Sequence, residues 1–349
     1  MDFTFTQDQQ LFRDSVADFL RAEVTPERIR ASWNTDSGRE PALWQQLTEL
    51  GLVGITVPEA FGGLGMSALD FVLLAQECGY VALPEPLVQT ALVAVPLLQD
   101  LGGDLAATWL PAIAAGEAVV AVGLQQNVLV EDAHIAKLLL LEHGGAIHAL
   151  TSDHYELQRS ESVDPSRQLF SVTVTGAGNA VAEGERAEHL LARALDHGAL
   201  GAAAQALGLA QRMVDLSVQY TADRQQFGKP VGSFQAVKHH MANVAVQLEY
   251  ARAPVHRAAC ALAAGARNAS EAVSHAKIVA CEAARLAAKN SIQVHGAMGY
   301  TWEVDLQIFM KKAWALANTW GDAGFHKARV AEHIFAEGAA LGAGATFAH

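Results

Sequence analysis

The sequence predicts a mainly α-helical protein with a small β section in its middle. Apolar residues recur at helical spacing in the first part of the chain and again from His189 onward. Between Gly116 and about Glu185 the apolar segments become short and are separated by turn residues, which is typical of strands. We therefore predict an N-terminal helical domain, a reduced β domain, a C-terminal four-helix bundle and a flexible tail, in that order. Their bounds are 1–116, 117–186, 187–337 and 338–349.

The N-terminal domain begins with a helix-start signal. Thr6 followed by Gln9 predicts a capping box, and apolar residues keep a helical spacing from there to Pro26. The glycine-rich stretch from Gly51 to Gly65 excludes a helix interior. The remaining helices of this domain are predicted over Ala42–Leu50, from Ser67 as cap to Tyr80, over Glu85–Leu101 and over Asp104–Ala115.

The middle section predicts short strands and the last section long helices. The strands are predicted over Ala118–Leu124, Ile135–Leu141, Ala146–Leu150 and Leu169–Val174. In the last section Ser233 is the expected cap of a helix whose apolar residues follow it, and Asn268 with Glu271 opens the next helix. A final helix is predicted from about Glu303 to Phe335, and the tail is rich in glycine and alanine.

Charge and cysteine content exclude several classes of protein. With 37 acidic and 24 basic side chains, the formal net charge is −13, which argues against a nucleic-acid partner. Apolar runs such as Ala91–Leu98 are far shorter than the ~18 residues of a membrane span. The three cysteines lack CxxC spacing, so neither a zinc site nor a disulfide framework is expected. With no basic region at the N-terminus, the sequence predicts a cytoplasmic protein without a membrane partner.

Three motifs together resemble the acyl-CoA dehydrogenases, flavoenzymes that desaturate acyl-CoA thioesters. They are LGLVGITVPEAFGGLG at Leu50–Gly65, RQQFGKPVGSFQ at Arg224–Gln235 and QVHGAMGYTWE at Gln293–Glu303. Their order and spacing match the family, and the resemblance extends from about Met1 to Glu337. Gly62-Gly63, in the first motif, is interpreted as a tight turn between helices and so as a family marker only.

The resemblance implies FAD as the cofactor, bound across a subunit interface. In the RxxFG motif Arg224 would pair with the FAD diphosphate of the neighbouring subunit, because a guanidinium stays charged and matches phosphate geometry. Phe227 would pack on the adenine side. An alternative is that Arg224 is a solvated helix-end residue paired with Asp223 or another acid.

The third motif resembles the family's QxxGGxG, which meets the adenosine and diphosphate of FAD. Gln293, Gly296 and Ala297 are the residues that match, with Ala297 standing where the family has its second glycine. Gly296 and Gly299 would also serve simply to end a helix, and both interpretations can hold at once.

Two parts of a complete family active site are missing from the sequence. Leu124–Asp132 replaces the family's flavin-facing T-E-P-x-A-G-S-D-like stretch, and the β section contains no tryptophan for the strand that packs on the isoalloxazine. Counting from Met310 places Trp320 where most members carry the catalytic glutamate, and the alternative family position falls on Gly198 or its neighbours, with Asp196 close but out of register. We therefore assign no catalytic residue, and Asp196, Asp322 and Glu303 remain as substitutes; for Asp196 and Asp322 the simpler interpretation is a helix-end or solvated carboxylate.

The histidines do not predict a metal site. His239 and His240 are adjacent, and adjacent helical side chains point about 100° apart, so they do not chelate one ion. His326 has no second ligand pair in the sequence.

The pattern of retained and lost motifs resembles the shortened subunit of heterotetrameric, steroid-type bacterial acyl-CoA dehydrogenases. This resemblance implies an α2β2 complex with a catalytic partner subunit, an acyl-CoA substrate such as a steroid side-chain thioester, and electron-transfer flavoprotein as acceptor. It also implies that the long C-terminal helices form the subunit interface. Two alternatives stay open: a homotetrameric enzyme with a relocated base, and a non-enzymatic interaction protein that has lost flavin.

Overall fold

The computed structural model describes residues 4–125, 127–176, 178–339 and 342, and its elements follow the expected order of helices, a small sheet region and long helices. The helices are α1 Gln7–Glu23, α2 Pro26–Ser32, α3 Pro41–Glu49, α4 Ala68–Tyr80, α5 Leu87–Gln89, α6 Val95–Leu101, α7 Gly103–Ala114, α8 Gly184–Asp223, α9 Gln235–Ala263, α10 Ala269–His295, α11 Leu306–Ala317 and α12 Ala323–Phe335. The strands are β1 Val120–Gly123, β2 Val130–Glu131, β3 Leu138–His143, β4 Ala146–Leu150, β5 Tyr155–Ser160, β6 Leu169–Val174, β7 Asn179–Glu183, β8 Gln225–Gln226 and β9 Lys229–Pro230. Apart from residues 338, 339 and 342, the tail expected over 338–349 lies outside the described residues.

The chain folds into two compact units that interleave along the sequence. One unit comprises Met1–Pro26, Val72–Leu83 and Ala202–His349, and we call it the C-terminal unit. The other comprises Glu27–Phe71 and Pro84–Gly201, and we call it the β-containing unit. The 40-residue helix α8 begins in the β-containing unit and ends in the C-terminal unit.

The β-containing unit holds two small sheets with an apolar interior. In the described residues, one sheet has the order β1-β3-β4-β7, with β1 and β3 parallel and the other pairs antiparallel, and a second has the order β2-β6-β5. The four predicted strands correspond to β1, β3, β4 and β6, while β2, β5 and β7 were not predicted. Side chains from both sheets form one buried cluster: Ala121, Val130, Ala133, Leu139, Leu150, Tyr155 and Phe170.

Tight turns shape the segment before α4 in the same unit. Gly62 has φ +84°, a conformation in which a Cβ would be strained. A Cβ on Gly63 would lie 2.0 Å from the carbonyl oxygen of Val57, so only glycine fits there. This confirms the interpretation of Gly62-Gly63 as a tight turn.

The C-terminal unit is a helical bundle whose helices approach closely. Helices α9 and α10 form a hairpin, and α10 also packs against α11 and α12. Helix α8 joins this bundle, as the hydroxyl of Ser291 on α10 donates to the carbonyl of Met213 on α8. Helices α4 and α8 meet at two glycines, Gly79 and Gly208. A Cβ on Gly79 would lie 2.1 Å from the carbonyl oxygen of Gln205. A Cβ on Gly208 would lie 1.9 Å from the carbonyl oxygen of Gln76.

Several helix boundaries differ from the sequence prediction. The Thr6–Gln9 capping box is confirmed, with both reciprocal hydrogen bonds present. Ser233 is wrong as a cap, because it lies in a 3-10 turn and Phe234 precedes α9 without a side-chain cap. Asn268 does occupy the N-cap position of α10, but its side chain makes no capping bond.

The final helix predicted over Glu303–Phe335 is wrong as a single element. Helix α11 starts only at Leu306 and ends at Ala317, and α12 starts at Ala323. The break lies at Trp320 and Gly321, whose φ values are +57° and +90°. A left-handed backbone at these residues cannot continue a right-handed helix.

No helix in the described residues combines the length and the apolar character required to cross a membrane.

Candidate functional site

The end of helix α8 presents an arginine whose backbone is fixed and whose guanidinium is exposed. The Arg224 amide donates to the Tyr220 carbonyl at 2.9 Å, and the Arg224 carbonyl accepts from the Val231 amide at 2.8 Å. In the described part of the chain, no carboxylate pairs with its guanidinium. Asp223, the alternative partner, instead accepts a bond from the Gln219 side chain at 2.7 Å. The guanidinium is therefore available to an external anion.

Phe227 stands at the tip of a short hairpin that follows Arg224. Strands β8 and β9 pair, and Phe227 and Gly228 connect them with φ values of +53° and +78°. Two positive φ values in succession are typical of type I′ hairpin turns, in which phenylalanine is unusual. The Phe227 side chain is 91% exposed and meets the Phe234 ring edge to face at 6.1 Å. An aromatic ring held at an exposed tip is suited to contact with a molecule outside the chain.

The end of helix α10 offers accessible backbone. Gly296 ends the helix with φ +60°, and no atom lies within 4 Å of where its Cβ would be. Gln293 and Ala297 are exposed beside it. Gly299 differs, since a Cβ there would lie 2.9 Å from the Ile292 carbonyl oxygen. The helix-end interpretation of Gly296 is confirmed, and it leaves an open backbone surface at the same residue.

A stacked pair joins these two helix ends. The rings of Tyr220 and His295 lie 4.3 Å apart with an interplanar angle of 18°, and the Tyr220 hydroxyl donates to the His295 carbonyl at 3.4 Å. Burial lowers the pKa of His295, so its ring is neutral and its Nδ1–H donates to the Ser291 carbonyl at 2.8 Å. The sequence analysis missed this pair, although Tyr220 lies one helical turn before Arg224 and His295 lies inside the third motif.

One cleft of about 500 Å³ lies beside the stacked pair. Arg224 and His295 both line it, so the structure brings the second and third motifs together. Three acidic side chains, Asp223, Glu303 and Asp305, also line it. Glu303, noted in the sequence as a substitute base, thus lies in the same cleft as Arg224.

Exposed aromatic side chains extend the surface beyond the cleft. Tyr300 is 81% exposed and Trp302 is 67% exposed. The Lys311 ammonium lies 3.6 Å from the centre of the Trp302 ring.

We call Arg224, Phe227, Gln293, Gly296 and Ala297 the motif surface.

The turn between α11 and α12 is buried and tied to the bundle. Trp320 is 5% exposed, and its carbonyl accepts from His326 Nε2 at 2.9 Å. The Lys277 ammonium donates to the carbonyls of Leu316, Ala317 and Gly321 at 3.0, 3.1 and 3.2 Å. Because His326 Nε2 donates, its Nδ1 accepts from the Ser274 hydroxyl at 3.1 Å, and burial lowers the pKa of His326 to about 4.

The two aspartates named as substitute bases have different environments. Asp322 caps α12, accepting the Phe325 amide at 2.8 Å, so the interpretation as a helix-end carboxylate is confirmed for it. For Asp196 that interpretation is wrong, because Asp196 is 4% exposed and lies within α8. Its neighbour His197 is also buried, its Nδ1 has no hydrogen-bond partner among the described residues, and burial lowers its pKa to about 4.

The adjacent histidines His239 and His240 have different environments. His240 Nδ1 contacts the Asn290 side-chain oxygen at 2.5 Å, and His239 is exposed. Within the described ranges, no group of three His, Cys, Asp or Glu side chains is arranged to hold a metal ion.

Comparison with known proteins identifies the family. Residues 6–117 match the family model "Acyl-CoA dehydrogenase, N-terminal domain", and residues 189–335 match "Acyl-CoA dehydrogenase, C-terminal domain". The chain is 32% identical over 318 residues to Acyl-CoA dehydrogenase IpdE2 of Mycolicibacterium smegmatis, which covers 90% of this chain and 95% of that protein. The chain belongs to the acyl-CoA dehydrogenase family.

Two solved structures are similar in fold to this chain over nearly its whole length. A variant of the "steroid ACAD" Tcur3481-Tcur3483 gives a TM-score of 0.86 at 24% identity, covering 96% of this chain and 99% of that one. The ChsE4-ChsE5 complex of Mycobacterium tuberculosis gives 0.85 at 22% identity, with the same coverage. These likenesses establish the fold.

Acyl-CoA dehydrogenases bind FAD, and the chemistry of the motif surface fits that cofactor. Arg224 supplies an uncommitted cation for a diphosphate. Gly296 leaves backbone open to close approach, and Phe227 supplies an exposed aromatic face for a purine.

Proposed function

We propose that this chain is a subunit of an FAD-dependent acyl-CoA dehydrogenase, contributing the adenosine and diphosphate contacts of an interface site. A partner subunit carries the catalytic base, in an α2β2 complex. The observation that carries this proposal is the contrast between the motif surface, which is exposed, and Trp320, which is buried at the family's base position.

In this complex the chain's own residues bind and orient the cofactor. FAD, when bound, accepts the β-hydrogen of the acyl-CoA thioester as a hydride. Arg224 holds the diphosphate through charge-assisted hydrogen bonds, and Phe227 covers the adenine. Gln293, Gly296 and Ala297 meet the adenosine and diphosphate from the end of α10. The Tyr220–His295 stack positions both helix ends, because it joins α8 to α10 at this point.

The α-proton has no acceptor at the proposed base position. An indole carries an N–H donor and no proton-accepting group. The turn also holds its own shape, since Lys277 and His326 bind its carbonyls. Proton abstraction therefore belongs to the partner subunit. The substrate that we propose is an acyl-CoA thioester, with a steroid side-chain thioester as the first to be assayed, and the acceptor is an electron-transfer flavoprotein.

Co-purification from the native organism, followed by mass spectrometry and a flavin-to-chain ratio, tests the proposal. We expect a nearly colourless chain alone and a yellow complex with a second acyl-CoA dehydrogenase chain. Arg224→Ala removes hydrogen bonds worth about 1.5–3 kcal/mol each, so flavin occupancy of the complex should fall after gel filtration. Arg13→Ala is the matched control, because Arg13 lies on α1, outside the motif surface, and already pairs with Asp14. Unchanged occupancy in Arg224→Ala would overturn the diphosphate role.

A second set of variants separates the heteromeric enzyme from a homotetramer with a relocated base. Asp196→Asn and Asp322→Asn should leave the turnover of the complex nearly intact, whereas loss of a true base lowers turnover by orders of magnitude. If the chain alone turns over acyl-CoA, and either variant abolishes this turnover while the flavin content stays constant, the base lies in this chain. The homotetrameric alternative would then replace our proposal. A chain that stays colourless with every co-purifying partner would indicate the non-enzymatic alternative.

A further inference from the structure

A second, smaller cleft lies in the C-terminal unit and shares none of the residues that line the first. Its volume is about 230 Å³, and neither the motifs nor the proposed cofactor surface uses it. It opens between the end of α1, the end of α4, α8 and α11. Its walls combine two arginines with aromatic and apolar side chains, including Arg21, Arg212, Tyr80, Phe309, Val24 and Pro26.

Arg212 is a half-buried cation with most of its hydrogen-bond donors unused. Its guanidinium lies 5.3 Å from the centre of the Tyr80 ring and 5.6 Å from that of the Phe309 ring. One N–H donates to the Tyr80 hydroxyl at 3.4 Å, which is its one side-chain hydrogen bond among the described residues. A guanidinium has five N–H donors, so four remain for a ligand in the cleft or for water.

No carboxylate neutralises Arg212 in the described part of the chain. Asp215 is the nearby acid, but it accepts from the Tyr80 hydroxyl at 2.9 Å and from the Gln211 side chain at 2.8 Å. The cation is thus held by aromatic contacts and oriented through Tyr80 rather than by an ion pair.

Arg21 places a second positive charge at the same ring. The Arg21 guanidinium lies 4.8 Å from the centre of the Tyr80 ring, and the Arg212 guanidinium lies 5.3 Å from the same point. The two guanidinium groups are therefore at most about 10 Å apart. Arg21 pairs with Glu77 at 3.0 Å and keeps 49% of its side chain exposed. Glu77 thus offsets the charge of Arg21, and the charge of Arg212 remains without a carboxylate partner at this ring.

We propose that this cleft binds a small organic monocarboxylate. The carboxylate accepts hydrogen bonds from Arg212 and Arg21, and the short hydrocarbon part packs against Val24, Pro26 and Phe309. A guanidinium fork matches a carboxylate in plane. Because Glu77 pairs with Arg21, Arg212 is the guanidinium left without a carboxylate partner, which favours a singly charged ligand over a phosphate dianion. The volume limits the hydrocarbon part to a few carbon atoms.

Calorimetric titration of the full-length chain with sodium butyrate tests this site. Butyramide and inorganic phosphate are titrated in parallel at constant ionic strength. We expect saturable binding of butyrate, and binding of butyramide and of phosphate at least 10-fold weaker. Tighter binding of phosphate would overturn the monocarboxylate assignment, and equal binding of butyramide would overturn the role of charge.

Variants then locate the binding. Arg212→Gln should weaken butyrate binding at least 10-fold, Arg212→Lys should weaken it less, and Arg21→Gln should weaken it several-fold. Arg13→Gln, on the same helix as Arg21, is the matched control and should leave binding unchanged. If Arg212→Gln fails to fold, the Arg21→Gln and Arg13→Gln pair decides the outcome. No saturable butyrate binding by the wild-type chain, or equal binding in the Arg21→Gln and control variants, would refute the site.

Discussion

Lys277 offers a stringent test of how the turn after α11 is held. Its side chain is 2% exposed, and its ammonium donates to three main-chain carbonyls at 3.0–3.2 Å. Two of these carbonyls, of Leu316 and Ala317, belong to the last turn of α11, and that of Leu316 also accepts from the Thr319 amide at 3.2 Å. The third belongs to Gly321. We predict that Lys277→Met destabilises the protein although methionine fills nearly the same volume.

Opposing free-energy terms set the size of the effect. Each hydrogen bond from a charged donor contributes about 1.5–3 kcal/mol, so three such bonds make a gross loss of about 5–9 kcal/mol. Burying an ammonium costs several kcal/mol, and that cost disappears in the variant. The carbonyl bonds exceed the recovered cost, because the Ala317 and Gly321 carbonyls lose the ammonium and face a buried thioether, while the Leu316 carbonyl keeps the Thr319 amide at 3.2 Å. We expect a net loss of about 2–4 kcal/mol of unfolding free energy.

Urea unfolding followed by circular dichroism measures this loss. The matched control is Lys327→Met, because Lys327 pairs with Glu282 on the surface, and such pairs contribute about 0–1 kcal/mol. A Lys277→Met midpoint equal to that of the control would refute the view that these carbonyls depend on the buried ammonium.

Three further predictions concern the same unit. His326 is neutral when folded, with a pKa of about 4 against an ordinary 6.5, so its stabilisation is complete above about pH 6.5 and is lost as the pH falls towards 4. Between pH 7.5 and 5 the unfolding free energy, measured by urea titration, should therefore fall by about 2 kcal/mol less in His326→Gln than in wild type, and equal falls would contradict the neutral ring. Gly208→Ala should lower unfolding free energy by at least about 3 kcal/mol, since its Cβ would overlap the Gln76 carbonyl oxygen, and an unchanged melting temperature would rule out that close crossing. Trp320→Gly should relieve about 1–2 kcal/mol of backbone strain but lose about 3–5 kcal/mol of buried contacts, and a more stable variant in calorimetry would show that strain dominates.

Local signals in the sequence predicted the local structure well. The Thr6–Gln9 capping box needs only residues three apart, and it forms as expected. Strand β5 was missed because only Tyr155 and Leu157 of its six residues are apolar, and the alternation stops at Arg159, which is too short a pattern to predict a strand. The break at Trp320 was missed because a bulky residue with positive φ carries no signal in composition or spacing.

The candidate site was predictable in its parts and not in its assembly. The alternative interpretation put Arg224 at a helix end, and Gly296 was expected to end a helix; the structure has both there. The stack of Tyr220 on His295 joins residues 75 positions apart, and helical periodicity does not reach that far. The second cleft, at Tyr80, was equally hidden, since Arg21 and Arg212 lie 191 positions apart in the sequence and approach the same ring from different helices.

The motif surface and the turn at Trp320 lie on two separate pieces of backbone. Arg224 and Gly296 lie at exposed helix ends. Folding alone does not require the unpaired guanidinium of Arg224. It does not require the Phe227 side chain either, which is 91% exposed. At the turn, by contrast, Lys277 and His326 fix the backbone around Trp320. A single Trp320→Glu change would bury a carboxylate beside a neutral histidine without altering those ties. We therefore expect this variant of the isolated chain to lose stability and gain no dehydrogenase activity, whereas turnover of acyl-CoA by it would contradict the proposal that FAD chemistry here needs a partner chain.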